Sequence, residues 1–418
     1  MRLMNYDKLS GKSILLLGKT RALQINEFDA LLKVHKINRL KSYDESIELI
    51  IEGRMMNPYE QSESERLYES ENVPIIELAD FEKWLCRSIE PNRLLMSLKL
   101  SRNQERLVDF LQNPYITDEL YFKLLALYDW QKEGLFDNDS NRNVTASIIG
   151  RFYKDLDRNH NVQYAMSGLA HLIERYGTGE LIGAVAQLEP IKDELKHRSN
   201  PSLAGVLDAI ALHADTSETI LAQLIDGKRS LLAHREPLAL ERELLGLEDE
   251  EVNTILATNK SLSSQGADVL ERVYPHLIAA NMRMDEERFE RLIEGYGVYL
   301  ASNESCTHSM QERLFGLGDE KVVEALASNP TTESEIIEAI FASGKHRVAL
   351  GSNPSLSSEK LEILYASKES AVLGALAANR ATPIEILYQL SLDRRYERSV
   401  KTNPAFGEHI QTYNIGWY

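Results

Sequence analysis

The stretch Leu376-Ala-Ala-Asn379-Arg-Ala-Thr-Pro383-Ile-Glu-Ile-Leu387 recurs, with variations, through the second half of this chain of 418 residues. Every copy carries Asn at the same position, and successive Asn anchors are 22 to 26 residues apart. The anchors are Asn259, Asn281, Asn303, Asn329, Asn353, Asn379 and Asn403. Self-similarity at a short, nearly fixed period is the sequence signature of a repeat architecture.

The residues around each anchor predict a helix, a turn and a second helix. An apolar residue stands three positions before the anchor and another stands eleven positions after it, as with Leu376 and Leu390 around Asn379. Most copies place Ser, Thr, Asp or Pro four positions after the anchor, where helix N-cap and first-turn residues belong. We expect the Asn side chain to bond backbone groups of the turn. A ligand-binding role for the anchors is the alternative, but their fixed place in every repeat favours the turn.

This pattern, carried by Leu376 to Leu387 and its copies, resembles the variant leucine-rich repeat. The resemblance covers about residues 250–418 and extends weakly back to residue 93. It implies a mainly α fold, a right-handed α-solenoid of roughly 24-residue helical repeats. A single unit of that size cannot bury its apolar face, so neighbouring units must stack. The family's best-known member holds an iron–sulphur cluster, but this chain has two cysteines, and we expect no cofactor and no metal.

Residues 1–92 have a different pattern. The apolar runs Ser13–Leu17, Ile47–Ile51 and Val73–Ile76 are short and bounded by turn residues, which is typical of buried strands. Helical stretches lie between these runs, and a helix from about Asp80 to Ile89 follows the last one. Because strands alternate with helices, we expect a small parallel sheet.

Two segments of this head resemble the BRCT domain. The first is Leu9-Ser-Gly-Lys-Ser13, which leads a strand that ends at Gly18, and the second is Ile75 to Leu85, which places Trp84 in the last helix. The resemblance implies a small α/β domain over about residues 1–92 and points toward partners in DNA repair or replication. Where phosphopeptide-binding BRCT domains have Ser or Thr before the Gly, this chain has Leu17.

Gly18-Lys19-Thr20 follows an apolar strand, as in a phosphate-binding loop. The full nucleotide-binding signature needs another Gly five positions before Gly18, where this chain has Ser13. A contact with phosphate or DNA stays as a hypothesis because the N-terminus of a helix suits anions. An ordinary strand-to-helix turn with a solvated lysine is the alternative. The residues of the hypothesis are Lys12, Gly18, Lys19, Thr20 and Arg21.

Charge is distributed unevenly along the chain, whose formal net charge is −17. Residues 1–42 carry nine Lys or Arg against three Asp or Glu, which gives +6, and residues 101–418 carry −16. The basic segment can meet DNA or an acidic partner, although a solvated surface of mixed charge is the alternative. The acidic remainder disfavours a nucleic-acid groove in the repeats.

No catalytic constellation or metal-ligand spacing stands out among the ten His and two Cys residues, and Cys306 occupies an apolar repeat position. We therefore expect a non-enzymatic protein–protein interaction scaffold, linked to DNA repair or replication, whose partner is another protein of unknown identity. The alternative is a nucleic-acid-binding helical-repeat protein that uses a basic groove or residues 1–42.

The expected domains are a BRCT-like head at 1–92, irregular helical repeats at 93–250 and regular repeats at 251–418. The aromatic segment Asn414–Tyr418 is expected to cap the last repeat, with docking elsewhere as the alternative. No leader peptide and no run of 18 apolar residues is visible, so we expect a cytoplasmic protein that does not enter the membrane.

Overall fold

The computed structural model describes residues 6–70, 73–154, 160–197 and 200–413. The chain is mainly α-helical and carries one small parallel sheet in its described part, which confirms the predicted class at this level. It forms two compact units, Met1–Gly227 and Lys228–Tyr418. The predicted cap at Asn414–Tyr418 lies outside the described residues. The three-domain division with boundaries at 92 and 250 stays a prediction.

The sheet of the first unit has four parallel strands in the order β2-β1-β3-β4. The strands are β1 Ser13–Leu17, β2 Asn38–Leu40, β3 Ile47–Glu52 and β4 Ile75–Glu77. Leu15 of β1 pairs with Leu40 on one side and with Ile50 on the other. Four of the five β1 residues are buried, because helices cover both faces of a parallel sheet.

Three helices pack on this sheet. They are α1 Ile25–Val34, α2 Pro58–Ser70 and α3 Leu78–Cys86. Leu67 of α2 packs with Leu15 and Leu17 on one face of the sheet. The helices α1 and α3 pack against each other, and the rings of Phe28 and Phe81, both fully buried, lie 6.0 Å apart between their centroids. Because successive side chains of a strand point to opposite faces of the sheet, β1 contributes to a hydrophobic core on each face.

The remainder of the first unit is helical. Its helices are α4 Pro91–Ser101, α5 Gln104–Leu111, α6 Asp118–Leu125, α7 Asp139–Phe152, α8 Met166–Tyr176, α9 Gly179–Ala186, α10 Glu189–His197, α11 Ala204–Leu212 and α12 Glu218–Ala233, with short 3₁₀ turns at Tyr6–Leu9, His160–Tyr164 and Pro201–Leu203. The helix α12 has a kink at Lys228, where φ is −131° and ψ is 22°.

The second unit is a run of paired helices. Its helices are α13 Glu241–Leu245, α14 Glu250–Thr258, α15 Ser264–Glu271, α16 Pro275–Asn281, α17 Glu286–Ala301, α18 His308–Gly316, α19 Glu320–Ser328, α20 Ser334–Ala342, α21 Arg347–Ser352, α22 Ser358–Ala366, α23 Ser370–Ala378, α24 Ile384–Ser391, α25 Glu397–Lys401 and α26 Pro404–Tyr413.

From α17 to α25, alternate helices along the chain pack against one another. The helix α19 contacts α17 and α21, and α23 contacts α21 and α25. Buried Leu, Ile, Val and Ala side chains from Ala279 to Phe406 form one continuous hydrophobic cluster. The fold is therefore repeat-like and helical, while a right-handed solenoid and a BRCT-like head stay predictions. None of the helices described here is both long and apolar enough to cross a membrane.

Candidate functional site

Six of the seven anchor asparagines are buried and connect successive repeats by hydrogen bonds. Nδ2 of Asn353 donates to the carbonyl oxygens of Ala327 and Asn329 at 2.9 and 3.0 Å, and its Oδ1 accepts from the backbone N–H of Ser355 at 2.8 Å. The same three kinds of bond recur at each of the other five. We call this set the Asn ladder: Asn259, Asn303, Asn329, Asn353, Asn379 and Asn403.

An asparagine amide has the donors and the acceptor that this position needs. Its two N–H groups meet two carbonyl oxygens of the preceding repeat, and its oxygen meets one N–H of its own turn. Asn353 directly follows α21 in an extended conformation, with φ −74° and ψ 115°, which directs the chain away from the helix axis. The side chain thereby holds the turn and the preceding repeat together, and no buried polar atom of Asn353 is left without a partner.

Asn281 is the anchor that stands outside the ladder. It is the last residue of α16, and its Nδ2 donates to the carbonyl oxygen of Leu277 in the same helix at 2.9 Å. The following residue, Met282, takes the ladder position, because its carbonyl oxygen accepts from Nδ2 of Asn303 at 2.8 Å. The repeat is thus shifted by one residue relative to the sequence pattern, and the side chain of Asn281 is only partly buried.

The first unit contains simpler versions of the same turn. Oδ1 of Asn113 accepts from the backbone N–H of Tyr115 at 2.8 Å, and Oδ1 of Asn200 accepts from that of Ser202 at 3.0 Å. Nδ2 of Asn113 contacts Sγ of Cys86 at 3.4 Å and not a carbonyl oxygen of a preceding repeat. The turn chemistry therefore extends further along the chain than the ladder does.

In the head, Gly18 and Lys19 form a tight backbone bridge after β1. Gly18 has a φ of +85°, and a Cβ at this position would lie 2.7 Å from the carbonyl oxygen of Arg54. The backbone N–H of Lys19 donates to that same oxygen at 2.6 Å, and the N–H of Arg54 donates to the carbonyl oxygen of Lys19 at 2.8 Å. The backbone geometry therefore requires glycine at position 18. Because the backbone N–H of Lys19 is already bonded to Arg54, a contact with phosphate at this residue falls to its exposed side chain.

After this bridge, three consecutive backbone amides donate hydrogen bonds to a buried carboxylate. The backbone N–H groups of Arg21, Ala22 and Leu23 donate to the carboxylate of Glu82 at 3.0 to 3.2 Å. Glu82 belongs to α3 and is fully buried. Consecutive amides of this kind form an anion-binding concavity, and here the anion is supplied by the protein itself. Sequence reasoning did not single out Glu82, because some 60 residues separate it from the loop that it contacts.

The cations of residues 1–42 differ in their pairing. Nζ of Lys12 lies 2.6 Å from Oε1 of Glu48, and Arg39 forms a two-pronged ion pair with Asp29 at 2.6 and 2.7 Å. The hydrogen bond from Arg39 holds the pKa of the Asp29 carboxyl below its usual value. Thr20 is half-buried. Among the described residues of this segment, the exposed cations without an ion pair are Lys8, Lys19, Arg21, Lys33, Lys36 and Lys41.

In the repeats, several cations are bound to carboxylates of a neighbouring repeat. The guanidinium of Arg288, whose side chain is 3% exposed, lies 2.6 Å from Asp268 and 3.0 Å from Glu271. Arg313 contacts Glu286 and Glu290 at 2.9 and 2.8 Å. These cations are engaged in joining repeats, so they do not form a free basic stripe.

Neither cysteine has the surroundings of a reactive thiol. Cys86 and Cys306 are both buried and unpaired with another cysteine. Burial raises the pKa of the Cys306 thiol to about 11, and Sγ lies 3.3 Å from the carbonyl oxygen of Leu300. Burial likewise raises the pKa of the Cys86 thiol to about 11. Both groups are therefore protonated at neutral pH, and a thiol is a far weaker nucleophile than a thiolate.

Among the residues that the structure describes, one group of side chains with metal-ligating atoms comes together, and it lies in the second unit. The ligand atoms of His308, Glu333 and Glu335 lie within 4.8 Å of one another, and all three residues are exposed. His308 begins α18, and the two glutamates lie at the start of α20, so the group joins two repeats. Exposed carboxylates commonly approach an imidazole in this way without an ion, and we assign no metal to the group.

The chain was compared with known proteins by sequence and by structure. No protein-family model matches it, and no curated protein or solved structure shows significant similarity to it.

Proposed function

We propose that this protein is a non-enzymatic scaffold that binds another protein through the surface of its helical repeats. The observation that carries the proposal is the Asn ladder, which sets the spacing of the repeats from Asn259 to Asn403 by buried hydrogen bonds. Stacked repeats of this type present an extended surface that suits a macromolecular partner. The anchors are engaged in holding that surface together, and binding falls to the exposed residues around them.

The charge of the repeats supports a protein partner over a nucleic acid. Residues 101–418 carry a net charge of −16. Several of the cations in this region, such as Arg288 and Arg313, are already held by carboxylates at 3.0 Å or less. Binding to a phosphate backbone depends on cations that can displace counterions, and the net negative charge of the repeats opposes it.

A link to DNA repair or replication is part of the proposal and rests on the head. The strand order β2-β1-β3-β4 supports the BRCT-like assignment, as does the packing of Trp84 against Phe81 and Tyr6 at 5.4 and 5.5 Å between ring centroids. We also propose a cytoplasmic location, with which the buried free thiols of Cys86 and Cys306 agree.

The experiment is an affinity capture with the full chain as bait at physiological salt, from extracts of the native host treated with nuclease. We expect a stoichiometric partner protein that survives the nuclease treatment. A bait that carries Asn353→Ala, which loosens the Asn ladder, should recover less of the same partner than the intact bait does. Recovery of no partner by the intact bait, or loss of every partner after nuclease treatment, would contradict the proposal.

A second candidate function is contact with nucleic acid through the head. It is favoured by the exposed side chains of Lys19, which precedes the loop that binds Glu82, and of Arg21, which begins that loop. A gel shift with duplex DNA tests it: binding should weaken as salt rises, and the double variant Lys19→Gln, Arg21→Gln should flatten that dependence. Lys12→Gln is the control, because Lys12 is already paired with Glu48.

A further inference from the structure

An open pocket of about 440 Å³ lies where the Asn ladder is interrupted. Its wall includes Asn281, the anchor that stands outside the ladder, together with Lys260, Arg283, Ser302 and Glu304. Pockets that hold a ligand usually have volumes of roughly 300 to 1,000 Å³ and a few convergent polar groups. The size and lining of this pocket therefore fit a group as large as an amino-acid side chain.

The shift of one residue in the repeat creates the pocket's polar wall. Because Met282 takes the ladder position, Asn281 moves to the half-exposed position before it. Nδ2 of Asn281 uses one N–H on the carbonyl oxygen of Leu277 at 2.9 Å, and its amide nitrogen has a second N–H to donate. In the regular repeats the residue before the anchor is Ser, Thr or Ala, and no such amide is present.

Charged residues meet at the same place. Lys260, Arg283 and Glu304 each directly follow a ladder position, whereas the corresponding residues of the next two repeats are Pro330 and Pro354. Nζ of Lys260 lies 3.6 Å from Oε2 of Glu304. Arg283 is exposed and makes no ion pair within the described part of the chain. The pocket therefore has a net charge of +1, and its guanidinium is available to a ligand.

We propose that this pocket binds the carboxylate of an Asp or Glu side chain of the partner protein. A guanidinium recognises a carboxylate through two parallel N–H···O bonds. Arg283 supplies this fork, Lys260 supplies a second positive charge, and the second N–H of Asn281 supplies a neutral donor. The inference rests on the proposed function, because it names the chemistry of the partner at one point of the repeat surface.

The charge of the pocket favours a carboxylate over a phosphate. A carboxylate brings one negative charge, which matches the net charge of +1. A phosphate monoester brings about −1.5 to −2 at neutral pH, and Glu304 would repel the excess. A single carboxylate on an otherwise neutral segment is therefore the ligand that this wall fits best.

The test uses a blocked pentapeptide with one central glutamate flanked by alanines, and its glutamine counterpart, titrated into the isotopically labelled full chain. Amide resonances of Asn281, Ser302 and Ser305 should shift with the glutamate peptide and saturate at millimolar concentration. Arg283→Gln should weaken this binding about tenfold, because a neutral glutamine amide lacks the charge and the two parallel N–H donors of the guanidinium. Arg380→Gln is the matched control, because Arg380 follows Asn379 in the same repeat position and lies outside the pocket.

Three results of the titrations would overturn the inference. They are equal shifts with the glutamine peptide, unchanged affinity in Arg283→Gln, and tighter binding of inorganic phosphate than of the glutamate peptide. A failure of the proposed function looks different, since the affinity capture would then recover no partner at all. A partner captured equally by the intact chain and by Arg283→Gln would leave the scaffold function standing and remove this site.

Discussion

Nδ2 of Asn353 lies 3.0 Å from the backbone carbonyl oxygen of Asn329, which precedes it by 24 residues. The two residues hold the same position in successive repeats, and both are buried. One asparagine therefore accepts, through its backbone, the hydrogen bond that the next asparagine donates through its side chain. This relationship transmits the spacing of one repeat to the next.

The substitution Asn353→Ala should destabilise the second unit strongly. It removes three hydrogen bonds: the carbonyl oxygen of Ala327 and the backbone N–H of Ser355 lose the partner that Asn353 gives them, while the carbonyl oxygen of Asn329 keeps the N–H of Thr332 at 3.2 Å. Because each unsatisfied buried group costs about 1–3 kcal/mol, we expect a loss of about 3 kcal/mol in the free energy of unfolding. Urea unfolding followed by circular dichroism measures it.

Asn281→Ala is the matched control for this prediction. Asn281 carries the same anchor in the sequence, but its side chain bonds only its own helix. We expect a change below about 0.5 kcal/mol, as for substitutions away from buried networks. Equal losses in the two variants would show that the ladder does not stabilise the repeats.

These two asparagines also show what the sequence could predict. The strand Ser13–Leu17 and the repeat turns follow from apolar periodicity and turn chemistry, which are local properties. The strand Asn38–Leu40 has no periodic signal of its own, because only one of its three residues has an apolar side chain. Whether Asn281 or Met282 takes the ladder position depends on the exact residue at which α16 ends. Local propensity does not fix that boundary to within one residue.

Removal of the Glu82 carboxylate should destabilise the head. The amides of Arg21, Ala22 and Leu23 donate to this fully buried group, and Glu82→Ala leaves them without an acceptor. We expect a loss of about 3 kcal/mol, and a smaller loss for Glu82→Gln, which retains one acceptor oxygen. Thermal unfolding and hydrogen exchange at residues 21–23 measure it. Unchanged exchange at these amides in Glu82→Ala would refute the account.

Arg288 and Arg291 lie on one helix and should differ in importance. The side chain of Arg288 is 3% exposed and bound to Asp268 and Glu271, whereas that of Arg291 is 43% exposed. Arg288→Met should cost about 2 kcal/mol, because it removes hydrogen bonds from a buried guanidinium to Asp268 and Glu271, and a hydrogen bond to a charged group is worth about 1.5–3 kcal/mol. Arg291→Met should cost less than about 1 kcal/mol, as exposed ion pairs do. Chemical denaturation of both variants tests the difference, and a reversed order would contradict the burial argument.

The thiol of Cys306 should resist alkylation in the folded chain. Burial raises its pKa to about 11, so the thiolate is scarce below that pH. Iodoacetamide should react slowly at pH 8 and at the usual rate of a free cysteine in guanidinium chloride. The pKa of this thiol is higher in the folded chain than its value of about 8.5 in the unfolded chain. Its contribution to the free energy of unfolding is therefore fully present below about pH 8.5 and is lost as the pH rises toward 11. Rapid labelling of the native protein at pH 8 would contradict the buried placement.

The central claim is that the repeat surface binds a protein, and hydrogen exchange of the full chain with and without its captured partner tests it most directly. We predict that the partner slows exchange in the helices between Glu241 and Tyr413, including those around Asn281 and Arg283. Slowed exchange confined to residues 6–70, or produced equally by added duplex DNA, would contradict the claim.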